Sequence, residues 1–266
     1  MADMLTADPP RPPGARRPLR RLALAAVLVL LAGTGIFVLE VIDRPAAAPR
    51  QPAFVVPQLD VDPGAAAPQG RPAPVQPDLA GWAERFAAAT DIPARTLVAY
   101  VNAESRIRGT APGCNLTWTT LAGIGRVESH HGRYNGTRIN PDGSLSKPII
   151  GIPLDGSPGV KAIPDTDGGR LDGDTRWDRA VGPMQFLPST WARWSLRANA
   201  DGAPADPQNV DDATLTAAHY LCASGGDLAT GEGWWKAVLT YNRSERYGRD
   251  VFSGADAYAR KAAEIK

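Results

Sequence analysis

Cysteine is scarce in this 266-residue chain, at two positions only. That excludes a dense disulfide scaffold and any four-cysteine zinc site. An excess of either charge is also missing, because 29 Lys+Arg against 28 Asp+Glu leave a formal net charge of +1. A generic nucleic-acid binder would be markedly basic, so no nucleic acid is expected as a partner. The three His residues form no His-Glu-x-x-His, and no Gly-x-Ser-x-Gly or Cys-x-x-Cys occurs. Zinc-peptidase, serine-hydrolase and dithiol redox patterns are therefore absent. Tryptophan is absent from residues 1–77, which hold 14 of the 25 Pro, whereas residues 78–266 hold all seven Trp and all six Tyr. Large aromatics build cores, and a Pro-rich chain without them buries too little apolar area to offset ordering entropy. The folded part is expected at 78–266, long enough for one well-buried domain.

What the first segment does contain is an uncharged run of 18 residues at 22–39, preceded by Arg16, Arg17, Arg20 and Arg21. As a helix it spans about 27 Å, near the thickness of a bilayer core. The positive-inside rule makes 1–21 a cytoplasmic tail, 22–42 a transmembrane signal anchor and the rest extracytoplasmic. The chain then sits in the cell membrane by a single pass. The alternative is a signal peptide cut near Ala46-Ala47-Ala48, giving a secreted protein. Residues 43–77 carry nine Pro and eight Ala in 35 positions, and read as a disordered, extended linker.

In the folded part several stretches read as helices. Pro93 suits a first helical turn and is followed by Leu97, Tyr100 and Val101 at i, i+3 and i+4. Asn115 is the expected cap of a helix through Leu116, Leu121, Ile124 and Val127. Residues 189–196, 211–222 and 234–241 also read as helical. From 132 to 179 the chain is rich in Gly, Pro and Asp, with a short strand expected at 149–152. The predicted fold class is mainly α with one long irregular insertion. Cys114 and Cys222 lie outside the membrane in this topology, so a disulfide is expected. It would close a loop of over 100 residues, worth roughly 4–5 kcal/mol in the chain-entropy model. The alternative is two free buried thiols.

Glu128 lies at i+4 from Ile124 and i+7 from Leu121, on the apolar stripe of its helix. A carboxylate there must be paired, protonated or facing a cleft. Burial raises its pKa, which suits a general acid near neutral pH. Spacing alone does not single it out, since Glu104 stands in the same relation to Leu97 and Val101.

Longer motifs separate the two. Leu121-Ala122-Gly123-Ile124-Gly125-Arg126-Val127-Glu128-Ser129, with Gly132 after it, resembles the glutamate motif of lytic murein transglycosylases. Ala180-Val181-Gly182-Pro183-Met184-Gln185-Phe186-Leu187-Pro188-Ser189-Thr190-Trp191 resembles the second motif of that superfamily, and Tyr241-Asn242 the third. The resemblance covers about residues 90–260 and is nearest to the membrane-bound type B enzymes of actinobacteria. It implies a lysozyme-like, mainly helical fold and no cofactor. It implies cleavage of the β-1,4 bond between N-acetylmuramic acid and N-acetylglucosamine in peptidoglycan glycan strands, leaving a 1,6-anhydro end. Carried onto this chain, Glu128 is the single acid/base, and Ser129, Met184, Gln185, Phe186, Tyr241 and Asn242 bind substrate. Cell-wall or division proteins are candidate partners. Glu104 matches no motif.

Five Asp crowd into 165–178. They allow three readings: turns in a loop wall, a calcium site, or a second carboxylate facing Glu128. The last would make the enzyme a muramidase that uses water. A calcium loop carried by some enzymes of the resembled family has its nearest counterpart at 201–212. Ala203 and Ala205 stand there where ligands are needed, so no metal is expected. His130 and His131 are adjacent and point about 100° apart on a helix, which does not suit a shared zinc. Trp177 and Trp194 are candidates for stacking on sugar rings. A reading from another class is a wall-binding module without turnover.

Overall fold

Seven helices carry the fold among the described residues, which in this computed structural model are 54–68, 70, 73–74 and 78–265. They are α1 Leu79–Ala89, α2 Ala94–Thr110, α3 Trp118–Ser129, α4 Pro188–Trp194, α5 Val210–Gly225, α6 Gly231–Tyr241 and α7 Glu245–Glu264. The tail and anchor expected at 1–42 lie outside the described residues. No described helix is long and apolar enough to cross a membrane.

α1 buries Leu79, Trp82, Ala83 and Phe86, at i, i+3, i+4 and i+7. This is the spacing of one helical face. Thr90 closes the helix by donating its hydroxyl to the Phe86 carbonyl and accepting from the Ile92 amide. Pro93 then precedes α2, which buries Leu97, Tyr100 and Val101 as expected. Asn115 does not cap α3. It adopts a left-handed conformation (φ 52°), and the helix begins three residues later with Thr117 at the cap position. α3 is buried on nearly every side from Trp118 to Gly125, so it forms the centre of the domain and packs along α7. Contact between these two backbones depends on Gly123. A Cβ there would lie 2.5 Å from the Val251 carbonyl oxygen.

The insertion forms no strand among the described residues. It is held by isolated bridges, among them Ile150 with Val181, Asp155 with Ala162, and Pro164 with Trp177. The short strand expected at 149–152 is reduced to the first of these. Frequent Gly and Pro leave no run in which a ladder can continue.

The expected disulfide is present. Cys114 and Cys222, 108 positions apart, have Cα atoms 5.4 Å apart. The bond ties the turn before α3 to the last part of α5.

The reading of 43–77 as a disordered linker needs correction for 54–68. These residues are extended, as their composition predicts, but they lie on the domain. Phe54 stacks on Tyr258 at 5.4 Å. The Leu59 amide donates to Ser253, Arg249 to the Val61 carbonyl, and the Trp235 indole to the Ala65 carbonyl. Side chains of α6 and α7 thus meet both backbone donors and backbone acceptors of this extended segment.

Candidate active site

The site is built where α3 ends. Ser129 is followed by three residues with positive φ: His130 (50°), His131 (61°) and Gly132 (81°). The two histidines are held in a conformation that ordinary side chains disfavour. His131 is fully buried, and it explains how they are held. Tyr258 donates its hydroxyl to Asp91, at 2.7 Å. The Tyr258 oxygen therefore accepts from His131 Nε2–H, at 2.9 Å. This leaves Nδ1 as an acceptor for the Tyr100 hydroxyl, at 3.1 Å. One tautomer satisfies every group, and the ring is neutral, because burial pushes its pKa well down. The 3.9 Å approach of His131 to Asp91 is thus not an ion pair.

Ser129 serves the same turn. Its hydroxyl donates to the Pro183 carbonyl at 2.6 Å and accepts from the Gly132 amide at 2.7 Å. At 1% exposure it faces no ligand. The substrate-binding role carried over to it is therefore replaced by a structural one, tying the first motif to the second.

The second motif is a tight hairpin. The Val181 and Phe186 backbones exchange hydrogen bonds at 2.8 and 2.9 Å. Gly182 (φ 78°) must be glycine, since its Cβ would meet the Pro207 carbonyl oxygen at 1.8 Å. Gln185 also has positive φ (48°), and its side-chain amide donates back to the Gly182 carbonyl at 2.9 Å. Met184 and Phe186 are 1% and 2% exposed. These two side chains support the hairpin from within the core instead of lining a cleft, a second correction to the carried-over roles. The Tyr241 hydroxyl donates to the Met184 carbonyl at 2.7 Å, so Tyr241 clamps the hairpin. Asn242 is exposed at the end of α6 and does not border the cavity described next.

Glu128 opens onto a cavity of about 340 Å³ bordered also by Tyr134, Arg179, Gln185 and residues 150–153. The carboxyl is densely surrounded yet half-buried, with part of its surface left on the cavity. Desolvation pushes its pKa up to about 7, while a hydrogen bond from Tyr247 acts in the opposite sense. The Tyr247 hydroxyl donates to Glu128 Oε1 at 2.5 Å. Glu104, its counterpart in spacing, is buried against an ion pair with Arg108 at 2.6 Å and borders no part of this cavity. A larger cavity, about 710 Å³ between α2 and α5, lies away from Glu128. Its size does not make it the site, because its one acidic side chain among the described residues, Asp211, is held in an ion pair with Arg95.

Four exposed large apolar side chains are found among the described residues, and three border the Glu128 cavity: Tyr134 (53%), Ile150 (37%) and Ile152 (64%). Apolar surface left in water beside a titratable group marks a binding surface. Tyr134, Tyr247, Arg179 and 150–153 escaped the sequence reading. Tyr247 lies five residues beyond the third motif with no pattern of its own, and Tyr134 is one aromatic in a Gly-rich stretch. Trp177 and Trp194 do not border the cavity. Trp194 packs on His219 and Tyr220.

The Asp-rich loop uses its carboxylates internally. Asp165 accepts three backbone amides, from residues 167, 168 and 169. Asp178 accepts from the Thr166 amide and hydroxyl. None of the five borders the Glu128 cavity. In the 201–212 stretch, Asp201 and Asp212 pair with Arg197. Among the described residues no three acidic, His or Cys side chains are grouped to hold a metal.

No protein-family model and no curated protein matches the sequence. Among solved structures, the chain is similar to the Escherichia coli lytic transglycosylase SLT35 in complex with bulgecin A, at 15% identity over 71% of this chain and 76% of that one, with a TM-score of 0.42. It is equally similar to SLT35 in complex with calcium, at 15% identity over 71% and 77%, TM-score 0.42. At that distance the likeness carries no weight for substrate or mechanism.

Proposed function

We propose that the chain is a membrane-anchored, extracytoplasmic lytic transglycosylase of lysozyme-like fold. It cleaves the β-1,4 bond between N-acetylmuramic acid and N-acetylglucosamine in peptidoglycan. The observation that carries this reading is the lone carboxylate. Among the described residues Glu128 is the one acidic side chain bordering its cavity, and its pKa near 7 suits it to give a proton and then take one. A muramidase needs a second carboxylate within reach of the anomeric carbon or its water. A transglycosylase needs one, because the substrate supplies the nucleophile.

The steps follow from the residues. Protonated Glu128 gives its proton to the glycosidic oxygen as the bond to the anomeric carbon breaks. The resulting carboxylate is stabilised by the Tyr247 hydroxyl and takes the proton of the muramyl 6-hydroxyl, which closes on the anomeric carbon. Glu128 returns to its starting state and no water is consumed. Tyr134 offers an aromatic face to a sugar ring, and Gln185 a polar side chain beside the reacting bond. The motif resemblance supports the substrate, and the apolar run at 22–39 supports the anchor.

The test is mass spectrometry of soluble products from purified cell wall, treated with the full chain in detergent or with its Glu128→Gln variant. Anhydro-ended fragments from the wild type alone are expected, about 18 Da lighter than reducing-end products by one water. Reducing ends would make the enzyme a muramidase. Wall binding without products from either protein would leave a binding module.

A further inference from the structure

The Glu128 cavity has a neighbour. A second cavity, also about 340 Å³, lies under residues 172–176 of the insertion, and the two share Ile150 and Arg179. A ligand that enters by Glu128 and carries a branch past Ile150 meets this second space.

The two carboxylates that border it are engaged by the loop itself. The Asp172 oxygens accept from the Asp174 and Arg179 amides. Asp174 accepts from the Arg176 and Trp177 amides through one oxygen, and from Arg179 through the other at 3.0 and 2.9 Å. Both acids are occupied in holding the loop. Arg179 spends a further donor on the Gly151 carbonyl at 3.2 Å and keeps the rest of its fork. Arg176 is exposed and its guanidinium has no partner among the described residues. A space bordered by guanidinium donors that remain free, with its own carboxylates already engaged, suits a carboxylate ligand.

We propose that this second cavity is a subsite for a carboxylate-bearing peptide branch of the glycan, read by Arg176 and Arg179. The inference rests on the glycan reading above and extends it. Glycan sugars joined through neutral groups offer these arginines no anion, whereas a peptide attached to a muramyl residue does. It also gives the insertion a purpose. Its aspartates build a rigid loop, and the loop presents the cations.

The experiment compares cleavage by the full chain of three glycans: strands with peptide branches, strands stripped of them with the lactyl carboxylates so exposed converted to amides, and strands with the branch carboxylates converted to amides. Arg176→Ala is the clean variant, since that side chain supports no other group. Arg170→Ala, an exposed arginine of the same loop outside the cavity, controls for general charge. Arg176→Ala is expected to lower kcat/KM roughly tenfold on carboxylate-bearing strands, with no change on the other two, and Arg170→Ala to do nothing. An equal loss on all three glycans, or no loss on any, overturns the proposal. If the wild type cuts none of them, the glycan reading fails separately. Titration of the Glu128→Gln protein with a soluble muramyl peptide and its amidated form then decides the subsite without turnover. Roughly tenfold weaker binding of the amide supports it, and equal binding overturns it.

Discussion

Replacing Glu128 by Gln should abolish cleavage and, above neutral pH, make the protein more stable. The carboxyl's pKa is raised from 4.5 to about 7, chiefly by desolvation. Between those values the folded protein holds a proton that the unfolded chain releases. The folded state is therefore favoured below pH 4.5, and that advantage drains away as pH rises through about 7. At about 1.36 kcal/mol for each pKa unit, the ionised carboxylate costs the fold about 3 kcal/mol at pH 8. Glutamine has nearly the same shape, and its carbonyl oxygen can accept from Tyr247, so the substitution removes the charge and little else. For a domain of this size the gain corresponds to a Tm increase of roughly 6–12 °C. The assay is thermal unfolding of both proteins from pH 4 to pH 9. The two melting curves should coincide near pH 4.5 and separate progressively to about pH 8. Equal melting temperatures across the whole range would mean that the carboxylate is fully hydrated. The argument for a raised pKa, and with it the acid role, would then fail.

Three further outcomes are expected. Tyr247→Phe removes a donor to the ionised form of Glu128, so the alkaline limb of the kcat/KM profile should move up by about one pH unit; a downward move would contradict the assigned hydrogen bond. Replacing both Cys114 and Cys222 by Ser should lower Tm by roughly 10–15 °C, from the 4–5 kcal/mol of a loop this long, and a calorimetric scan with and without reductant checks it. Gly125→Ala places a Cβ 2.0 Å from the Tyr100 hydroxyl oxygen, which should destabilise by about 3 kcal/mol and disturb the His131 turn; adding Tyr100→Phe should recover part of that loss in a double-mutant cycle measured by denaturant unfolding.

Much of the helical frame was legible from periodicity, because α2, α3, α5 and α6 each place apolar residues at helical spacing over three turns or more. α7 was not, although it is the longest helix. Its buried face runs through Tyr247, Val251, Ala255 and Tyr258, but charges and two glycines dilute the pattern. Asn115 misled as a cap because its side chain is taken by Asp227 at 2.8 Å. Residues 54–68 misled because composition reports the absence of self-sufficient structure and says nothing of a surface that the segment can lie on. Glu128 was found by motif, and its partners were not. Periodicity and motif see one segment at a time, whereas the site is assembled from α3, the 134–136 turn, the 150–153 edge, the 179–186 hairpin and α7.

That assembly explains why strained residues collect around one carboxyl group. A charge kept half out of water pulls its own segment toward solvent, so the group must be fixed from several directions. From below, the His131 relay runs from Tyr100 on α2 to Tyr258 on α7 and ends on Asp91. From the side, Ser129 joins the helix end to the Pro183 carbonyl, and Tyr241 fixes the adjacent Met184 carbonyl. From the front, Tyr247 holds Oε1 itself. Each left-handed non-glycine residue in this region costs on the order of 1–3 kcal/mol. There are four: His130, His131, Asn135 and Gln185. At His131 and Gln185, hydrogen bonds from the side chain hold the unfavourable backbone in place. Removing one bond should therefore not merely loosen a loop. It should let the helix end relax toward ordinary dihedrals and carry Glu128 with it. The catalytic geometry is thus a property of the whole helix end, and the carboxylate is its most expensive part.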